Sequence, residues 1–275
     1  MTDQPRITFN DGHAIPQLGF GTWQIPDAEA SGVVAQAIAA GYLSIDTAQG
    51  YENEVGVGKA IAASDRPRSG LFVTTKLANS RHGYDETMRA TEESLRKLRL
   101  DALDLYLVHW PIPNKDLYVE TWRAFVELRK QGRLRSIGVS NFTMAHLERL
   151  KDETGIVPAL NQIELHPRFQ QRALRDYHAK TGIATESWSP LGRGRLLDDP
   201  VVLALAEKHR KTPAQVVLRW HLDQGLVVIP KSVTPSRIKE NIEVFDFRLD
   251  AEDVGRMAGL DDPKGRTGPD PDTFG

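Results

Sequence analysis

The sequence predicts an α/β fold, a (β/α)8 TIM barrel, formed as a single domain over residues 1–275. Eight short apolar runs alternate with longer segments of helical periodicity. One strand–helix unit recurs roughly every 30 residues, which is the spacing of a parallel βα repeat. The 275 residues also match the size of such barrels, about 250 residues. An open doubly wound sheet is the alternative that these observations leave.

The eight predicted strands are short and rich in Leu, Val and Ile. In chain order they are Gly19–Trp23, Leu43–Asp46, Leu71–Lys76, Leu103–His109, Arg135–Ser140, Ala159–Glu164, Ile183–Ser187 and Leu226–Pro230. The fourth run is nearly continuous in apolar residues, which is typical of a strand covered on both faces of a parallel sheet.

Helices are predicted between the strands. Tyr84–Leu98 begins with two acidic residues, which are favourable at a helix N-terminus, and carries an apolar stripe. Leu117–Gln131 has a similar stripe and ends before a glycine. Thr212 followed by Pro213 is a typical helix start, because threonine caps free amide groups and proline fits the first turn.

Three additions to the basic barrel are also predicted. Ile7–Phe9 and Ala14–Leu18 flank an Asp-Gly pair, which indicates a β-hairpin that plugs one end of the barrel. Leu197–His209 and Asp250–Gly259 are predicted as two extra helices. The tail, Asp261–Gly275, is rich in Gly, Pro and Asp and is predicted to be a loop.

Composition excludes several classes of function. The chain has no Cys, which excludes thiolate metal sites and cysteine nucleophiles, and no spacing typical of a metal site is present. Its 35 basic and 37 acidic residues give a net charge of −2, which argues against nucleic-acid and membrane-surface partners. No apolar run is long enough to span a membrane, and Met1–Arg6 does not resemble a signal peptide. We therefore expect a cytoplasmic protein.

Polar residues follow the second, third and fourth strands. In a barrel, functional residues lie at the carboxyl ends of strands, where this chain has Asp46, Tyr51, Lys76 and His109. A tyrosine with a pKa of about 10 is a weak acid, and a neighbouring lysine lowers that pKa. An aspartate would keep the lysine charged, and a histidine could polarise a carbonyl oxygen. Together the four could protonate a carbonyl oxygen as hydride reaches the carbon; the alternative is a structural ion pair beside an unrelated histidine.

A second informative segment joins the eighth strand to a helix start. Lys231, Ser232 and Arg237 provide a point charge, a hydroxyl and a planar cation where barrels often bind phosphate. The alternative is a solvated basic helix start. The chain has neither a complete GxGxxG motif nor a Walker A motif, so we expect any nucleotide to bind without a Rossmann turn.

Six segments resemble motifs of the aldo-keto reductase superfamily, and the resemblance covers nearly the whole chain. They are Gly41–Tyr51, Leu105–Pro111, Gly138–Phe142, Asn161–Pro167, Ser189–Gly192 and Ile229–Asn241. Phe245–Phe247 and the tail segment Thr267–Phe274 are most similar to the prokaryotic branch that contains 2,5-diketo-D-gluconate reductases.

The resemblance implies NADPH/NADP+ as cofactor and a role for each matching residue. Tyr51 would be the general acid, Lys76 paired to Asp46 would tune it, and His109 would orient the carbonyl. Ser140, Asn141 and Gln162 would hold the carboxamide of the nicotinamide, and Trp188 would stack on the nicotinamide ring. The pyrophosphate would lie along Ser189, Leu191 and Gly192. The adenosine 2′-phosphate and the adenine would be held by Lys231, Ser232, Val233, Arg237, Glu240 and Asn241.

The resemblance also implies the substrate class. Trp23 and Trp110 would line an apolar pocket beside Tyr51, the alternative being plain core packing, and we expect small polar dicarbonyls, keto acids, keto esters or aldehydes. Thr234 stands where some relatives carry Arg, which would weaken the preference for NADPH. We expect a monomer. Two alternatives remain: a non-enzymatic NADP-sensing subunit, and an alcohol dehydrogenase that works mainly in oxidation.

Overall fold

Eight parallel strands form one sheet in the computed structural model, which describes residues 4–275. Two further short strands, β1 (Arg6–Thr8) and β2 (Ala14–Pro16), precede them. The eight are β3 (Phe20–Gly21), β4 (Ser44–Asp46), β5 (Phe72–Leu77), β6 (Leu103–Val108), β7 (Leu134–Ser140), β8 (Leu160–Glu164), β9 (Ala184–Trp188) and β10 (Val227–Val228). Residues 1–3, which begin the N-terminal segment considered above, lie outside the described range.

The sheet closes on itself. Each strand pairs in parallel with the next, from β3 to β10. The backbone amides of Gly19 and Gly21 then donate to the carbonyl oxygens of Val228 and Pro230, at 2.9 and 3.0 Å. These bonds join the first strand of the sheet to the last, which confirms the predicted barrel and excludes the open sheet.

Ten α-helices accompany the strands in the described residues. They are α1 (Asp27–Ala40), α2 (Glu54–Ala62), α3 (Tyr84–Leu98), α4 (Tyr118–Lys130), α5 (Met144–Thr154), α6 (Arg172–Thr181), α7 (Pro200–His209), α8 (Pro213–Asp223), α9 (Pro235–Ile242) and α10 (Ala251–Ala258). None of these helices is long and apolar enough to cross a lipid bilayer.

The hairpin and the extra helices lie where the sequence predicts them. β1 and β2 pair antiparallel, and Phe9 and Ile15 pack with Leu105, Leu107 and Val227 in a buried cluster inside the barrel. The hairpin therefore plugs the barrel, as expected. The two extra helices are α7 and α10, and the tail after α10 contains neither helix nor strand.

Differences from the predicted boundaries are small and have local causes. α7 begins at Pro200 rather than Leu197, because the carboxylate of Asp199 accepts the amide of Val201 and caps the helix there. The predicted start of α8 is confirmed, since Thr212 Oγ1 accepts the amide of Gln215 at 3.3 Å. β10 stops at Val228, two residues before a proline that has no amide hydrogen to donate.

Candidate active site

A cavity of about 760 Å³ opens at the carboxyl ends of the barrel strands. Twelve of the predicted site residues line it: Trp23, Asp46, Tyr51, His109, Trp110, Ser140, Asn141, Gln162, Trp188, Ser189, Leu191 and Lys231. A second cavity, of about 590 Å³, lies beside α6 and α8 and is lined by none of the predicted residues. The barrel thus brings residues from six strand ends, those of β4 and of β6 to β10, and from the loop between β3 and α1 to one place.

Lys76 links the polar groups beneath the cavity. Its side chain is fully buried on β5, and its Nζ donates to Asp46 Oδ1 at 2.5 Å and to the carbonyl of Thr47 at 2.9 Å. The same Nζ donates to Tyr51 Oη at 3.3 Å. All three hydrogens of the ammonium therefore have an acceptor. Because Oη accepts from Lys76, the hydroxyl hydrogen of Tyr51 remains available as a donor.

Burial and charge set the protonation of this group. Burial on its own lowers the pKa of Lys76, but Asp46 and Tyr51 outweigh it and the pKa is raised, so the lysine is charged. Burial raises the pKa of Tyr51, and Lys76 opposes this without reversing it. As the sequence predicts, Lys76 by itself lowers the pKa of Tyr51. The prediction is wrong for the net shift, because burial is the larger effect and the pKa is raised.

His109 is a neutral donor facing the cavity. Its ring lies edge-on to Tyr51, with ring centroids 5.7 Å apart and an interplanar angle of 74°. Burial, followed by the charge of Lys76, lowers the pKa of His109 to about 3. The imidazole is therefore uncharged at neutral pH and carries one N–H that could polarise a carbonyl oxygen.

A chain of hydrogen bonds crosses the ends of β7, β8 and β9. Ser140 Oγ donates to the carbonyl of Gln162 at 2.8 Å, and Asn141 Nδ2 donates to Ser140 Oγ at 3.0 Å. Trp188 Nε1 donates to Asn141 Oδ1 at 2.7 Å, which holds the half-buried indole at the cavity wall. The two hydrogens of Asn141 Nδ2 are used within the protein, since the second reaches the carbonyl of His109 at 3.0 Å.

Gln162 connects two buried carboxyl groups. Its Nε2 donates to Asp46 Oδ2 at 2.9 Å and to Glu186 Oε2 at 2.8 Å. Glu186 is fully buried on β9 and is absent from the residues that the sequence singles out. It lies two residues before Trp188, so its side chain points to the same face of β9, into the barrel. The alternation of side chains along a strand, counted back from Trp188, is the sequence signal that could have identified Glu186.

The predicted phosphate-binding residues lie together at the end of β10 and the start of α9. Lys231, Val233 and Arg237 are exposed, and neither Lys231 nor Arg237 pairs with a carboxylate in residues 4–275. Ser232 Oγ accepts the amide of Thr234 at 3.1 Å. Glu240 accepts from Thr212 Oγ1 at 2.7 Å, so its carboxylate is already engaged.

Six predicted residues lie outside the cavity wall that the other cofactor-binding residues share. They are Gly192, Ser232, Val233, Arg237, Glu240 and Asn241. Gly192, Ser232 and Val233 lie close in sequence to residues that line the cavity. Arg237, Glu240 and Asn241 lie within α9, where Asn241 is buried. Lys76, the remaining predicted residue, lies beneath the wall.

The C-terminal tail forms part of the cavity wall. Glu164 accepts the backbone amides of Thr267 and Gly268, at 2.7 and 2.9 Å, which fixes the tail over the end of β8. Phe274 packs on Trp110, with ring centroids 4.6 Å apart. Trp110 is buried, whereas Trp23 is 44% exposed and lies under the guanidinium of Arg193. Both tryptophans line the cavity, and Trp110 is in addition packed into the interior; their role as substrate-pocket residues stays a prediction.

Several wall residues are missing from the sequence-based prediction. They are Gly21, Gln24, Gly50, Pro190, Arg193, Gly194, Ile229, Pro230 and Pro269. Most are immediate neighbours of predicted residues, and Pro269 lies in the tail segment that carried the family resemblance. No group of three or more His, Asp or Glu residues in the described range could hold a metal ion.

Comparison with known proteins agrees with this geometry. The model of the Aldo/keto reductase family matches residues 17–262. An aldo-keto reductase of Mycolicibacterium smegmatis is 57% identical over 270 residues, covering 98% of each chain. Methylglyoxal reductase DkgA of Escherichia coli is 53% identical over 277 residues, covering all of both chains. A crystal structure of a Gox0644 mutant in complex with NADPH superposes with a TM-score of 0.96 at 55% identity, covering 99% of each chain.

Proposed function

The chain belongs to the aldo/keto reductase family and is an oxidoreductase, and from this premise we propose that it reduces small carbonyl compounds with NADPH, using Tyr51 as the general acid. The observation that carries the proposal is the contact of Lys76 with both Tyr51 and Asp46 at the base of the 760 Å³ cavity. We propose the whole chain as one domain, because the closed barrel contains all eight strands of the sheet.

The residues at this cavity fit a nicotinamide adenine dinucleotide phosphate. Trp188 offers a flat aromatic face at the cavity wall, and Gln162 Oε1 accepts no hydrogen bond from the described residues. Lys231 and Arg237 are exposed cations without a carboxylate partner, as a 2′-phosphate site requires. Ser140, Asn141, Gln162 and Trp188 would hold the nicotinamide end, Ser189, Leu191 and Gly192 the pyrophosphate, and the α9 residues the adenosine phosphate. NADPH, when bound, supplies the hydride.

The chain's own groups provide the proton and the orientation. Tyr51 Oη accepts from Lys76 and keeps its hydrogen for the carbonyl oxygen of a substrate. Charged Lys76 stabilises the phenolate that remains after that transfer, because opposite charges attract strongly in a buried site. Asp46 holds Lys76 in place, and neutral His109 donates to the same carbonyl oxygen from the other side.

The cavity favours small substrates. Trp23 and Trp110 provide apolar surface beside Tyr51, the tail residue Pro269 also lines the cavity, and Phe274 packs on Trp110. The relatives named methylglyoxal reductase support a small dicarbonyl, and the family resemblance adds 2,5-diketo-D-gluconate. We propose reduction as the working direction and a monomer as the active form.

Replacing Tyr51 with phenylalanine tests the general acid. Tyr51→Phe keeps the ring and removes the hydroxyl, so kcat for NADPH-dependent reduction of methylglyoxal should fall about 10³-fold, or about 4 kcal/mol. The measurement is the loss of NADPH absorbance with time. NADH is run in parallel, together with 2,5-diketo-D-gluconate, a β-keto ester and an aromatic aldehyde.

Tyr84→Phe is the matched control, because Tyr84 is an exposed tyrosine at the start of α3 and does not line the cavity. It should behave as the wild type does. An unchanged rate in Tyr51→Phe would overturn the general-acid assignment. Tight NADPH binding without turnover of any carbonyl in the wild type would instead favour a sensing role.

A further inference from the structure

Glu186 is a buried carboxyl group with a single hydrogen-bonding neighbour. It is fully buried in the middle of β9, and its Oε2 accepts from Gln162 Nε2 at 2.8 Å. Its Oε1 has no hydrogen-bond partner in the described residues. Burying a carboxyl group costs free energy of folding, so its presence here indicates a role that offsets the cost. The proposed mechanism above does not use Glu186.

Two carboxyl groups meet at one amide nitrogen. Gln162 Nε2 lies 2.9 Å from Asp46 Oδ2 and 2.8 Å from Glu186 Oε2. Lys76 donates to Asp46 Oδ1 and opposes the rise in pKa that burial causes in Asp46; the carboxylate then accepts at Oδ2, so the nitrogen of the amide, and not its oxygen, faces it. Glu186 takes the second hydrogen of that nitrogen. Both amide hydrogens are then used inside the barrel.

The amide oxygen is thereby left for the cavity. Gln162 lines the cavity, and its Oε1 accepts no hydrogen bond from the described residues. The neighbouring side chains of Ser140, Asn141 and Trp188 are already bonded to one another or to backbone. Gln162 therefore presents a pure acceptor, in one fixed orientation, beside the indole of Trp188.

The protonation of Glu186 is consistent with this arrangement. Burial, and then the negative charge of Asp46, raise the pKa of Glu186 to about 8, while Gln162 and Lys76 oppose the shift. The titratable groups that face it are Asp46 on β4, Lys76 on β5 and Tyr51 in the loop after β4. Burial raises the pKa of Asp46 as well, but the bond from Lys76 opposes that rise and favours the negative charge on Asp46, while Glu186 accepts from Gln162 through Oε2.

We propose that Glu186 is a positioning residue for cofactor binding: it takes the second hydrogen of Gln162 Nε2, so that Gln162 Oε1 is presented as the acceptor for the NH2 group of a nicotinamide carboxamide. This inference rests on the proposed function, because it requires a nicotinamide cofactor. Glu186 itself touches neither the cavity nor the reacting atoms. Its effect should appear in binding of the nicotinamide end alone.

Two ligands separate that effect from a structural one. NADPH contains the carboxamide, whereas 2′,5′-ADP contains the adenosine and the 2′-phosphate without it. We would measure the Kd of each by isothermal titration calorimetry for wild type, Glu186→Leu and Glu186→Gln. Leucine removes the acceptor at similar volume, and glutamine retains an oxygen that can accept from Gln162.

Glu186→Leu should weaken NADPH binding about tenfold, or about 1.4 kcal/mol, since a buried amide hydrogen loses its acceptor and the amide of Gln162 is then held by Asp46 alone. Its Kd for 2′,5′-ADP should stay within about twofold of the wild type. Glu186→Gln should recover most of the NADPH affinity. The matched control is Glu54→Leu, because Glu54 is also a buried carboxyl group but bonds to Thr75 outside the cavity. It should affect neither ligand.

Equal weakening of both ligands in Glu186→Leu would overturn the inference, because it would indicate a general loss of structure. Unchanged NADPH affinity in that variant would overturn it too. If Glu186→Leu does not fold, Glu186→Ala replaces it, with 2′,5′-ADP binding as the measure of an intact cleft. A wild type that bound 2′,5′-ADP but not NADPH would refute the proposed cofactor itself, a result distinct from either failure of Glu186.

Discussion

Lys76 is the residue on which the candidate site depends. Its ammonium is fully buried and uses its three hydrogens on Asp46, on a backbone carbonyl and on Tyr51. A buried cation with this many partners is tolerated, whereas a buried charge that loses its partner is strongly destabilising. The same contacts that prepare the tyrosine therefore also keep the barrel interior stable.

A double-mutant cycle on Lys76 and Asp46 separates these two effects. Lys76→Met and Asp46→Leu each leave one buried charge unpaired, so each should lower the free energy of unfolding by about 3–5 kcal/mol at pH 7. The double variant removes both charges and should lose clearly less than the sum of the two. Urea unfolding gives the stabilities. All three variants should lose most of the reductase activity, since Tyr51 loses Lys76 in two of them and Lys76 loses the carboxylate that holds it in Asp46→Leu.

Additive losses of stability in that cycle would show that the two side chains do not interact. Full activity in either single variant would show that the ion pair has no part in the chemistry. Arg68→Met and Asp104→Leu form a comparison pair, because the partly exposed Arg68 pairs with the buried Asp104 at 2.6 Å, away from the cavity. Their coupling should be smaller, as is usual for exposed ion pairs.

At the residue level, the sequence predicts that the catalytic candidates lie close together, and it indicates less about the residues around them. Asp46 is the last residue of β4, Lys76 the last but one of β5, and His109 follows β6; parallel strands of a barrel end at the same edge, so their proximity follows from position alone. Glu186 lies in the middle of β9 instead of at its end. Only the strand register, which places it next to Gln162, shows that its carboxyl group reaches that amide.

At the level of elements, the strand–helix alternation is enough to locate every barrel strand, because periodicity and turn residues are local properties. The contacts made by the tail are not local. Glu164 and Gly268 are 104 residues apart and meet through a backbone amide, which no apolar pattern encodes. The same applies to the short pairing of β3 with β10, where the barrel closes through backbone bonds of Gly19 and Gly21.

Two helical glycines differ in what surrounds them and provide a test of helix packing. Gly32 lies within α1, is exposed, and has nothing within 4 Å of the position of an added Cβ. Gly58 lies within α2, where an added Cβ would be 2.5 Å from the carbonyl oxygen of Lys97 in α3. Gly32 therefore costs the helix stability, whereas Gly58 allows two helices to approach closely.

Gly32→Ala should raise the free energy of unfolding by about 0.5–1 kcal/mol, because alanine has the higher helix propensity. Gly58→Ala should lower it by about 1–3 kcal/mol, since the backbone of α3 must move away. Urea unfolding of the two variants side by side provides the measurement, each serving as the control for the other. Stabilisation by both substitutions would mean that α2 and α3 are not packed as described.

The whole molecule carries a set of buried neutral histidines that should control its stability in acid. Burial is the main cause that lowers the pKa of His82 and His178 to about 4 and of His109 and His221 to about 3. The unfolded chain binds protons on these groups near pH 6.5, and the folded chain does not until pH 3 to 4. The contribution of these neutral histidines to the free energy of unfolding is therefore fully present above pH 6.5 and is lost as the pH falls below 6.5.

His178 is the best single probe of this effect, because it lines the second cavity, beside α6, and not the candidate active site. Its ring bridges Asn161 Nδ2 and Thr185 Oγ1, at 3.0 and 2.9 Å, so a second ring proton would face the amide hydrogens of Asn161. Between pH 7 and pH 5 each such histidine should remove about 2 kcal/mol from the free energy of unfolding. Glu186 acts in the opposite sense over this range, since its raised pKa favours the folded form as the pH falls.

Urea unfolding of wild type and His178→Asn at pH 7 and pH 5 tests this prediction. The substitution lowers stability at both values, and the quantity of interest is the change between them, which should be about 2 kcal/mol smaller in the variant. His13→Asn is the control, because His13 is exposed in the hairpin turn and should leave that change as in the wild type. An equal change in His178→Asn and wild type would show that acid sensitivity arises elsewhere. A smaller change in His178→Asn would show that the acid sensitivity of the protein arises from the neutral histidines that the barrel buries.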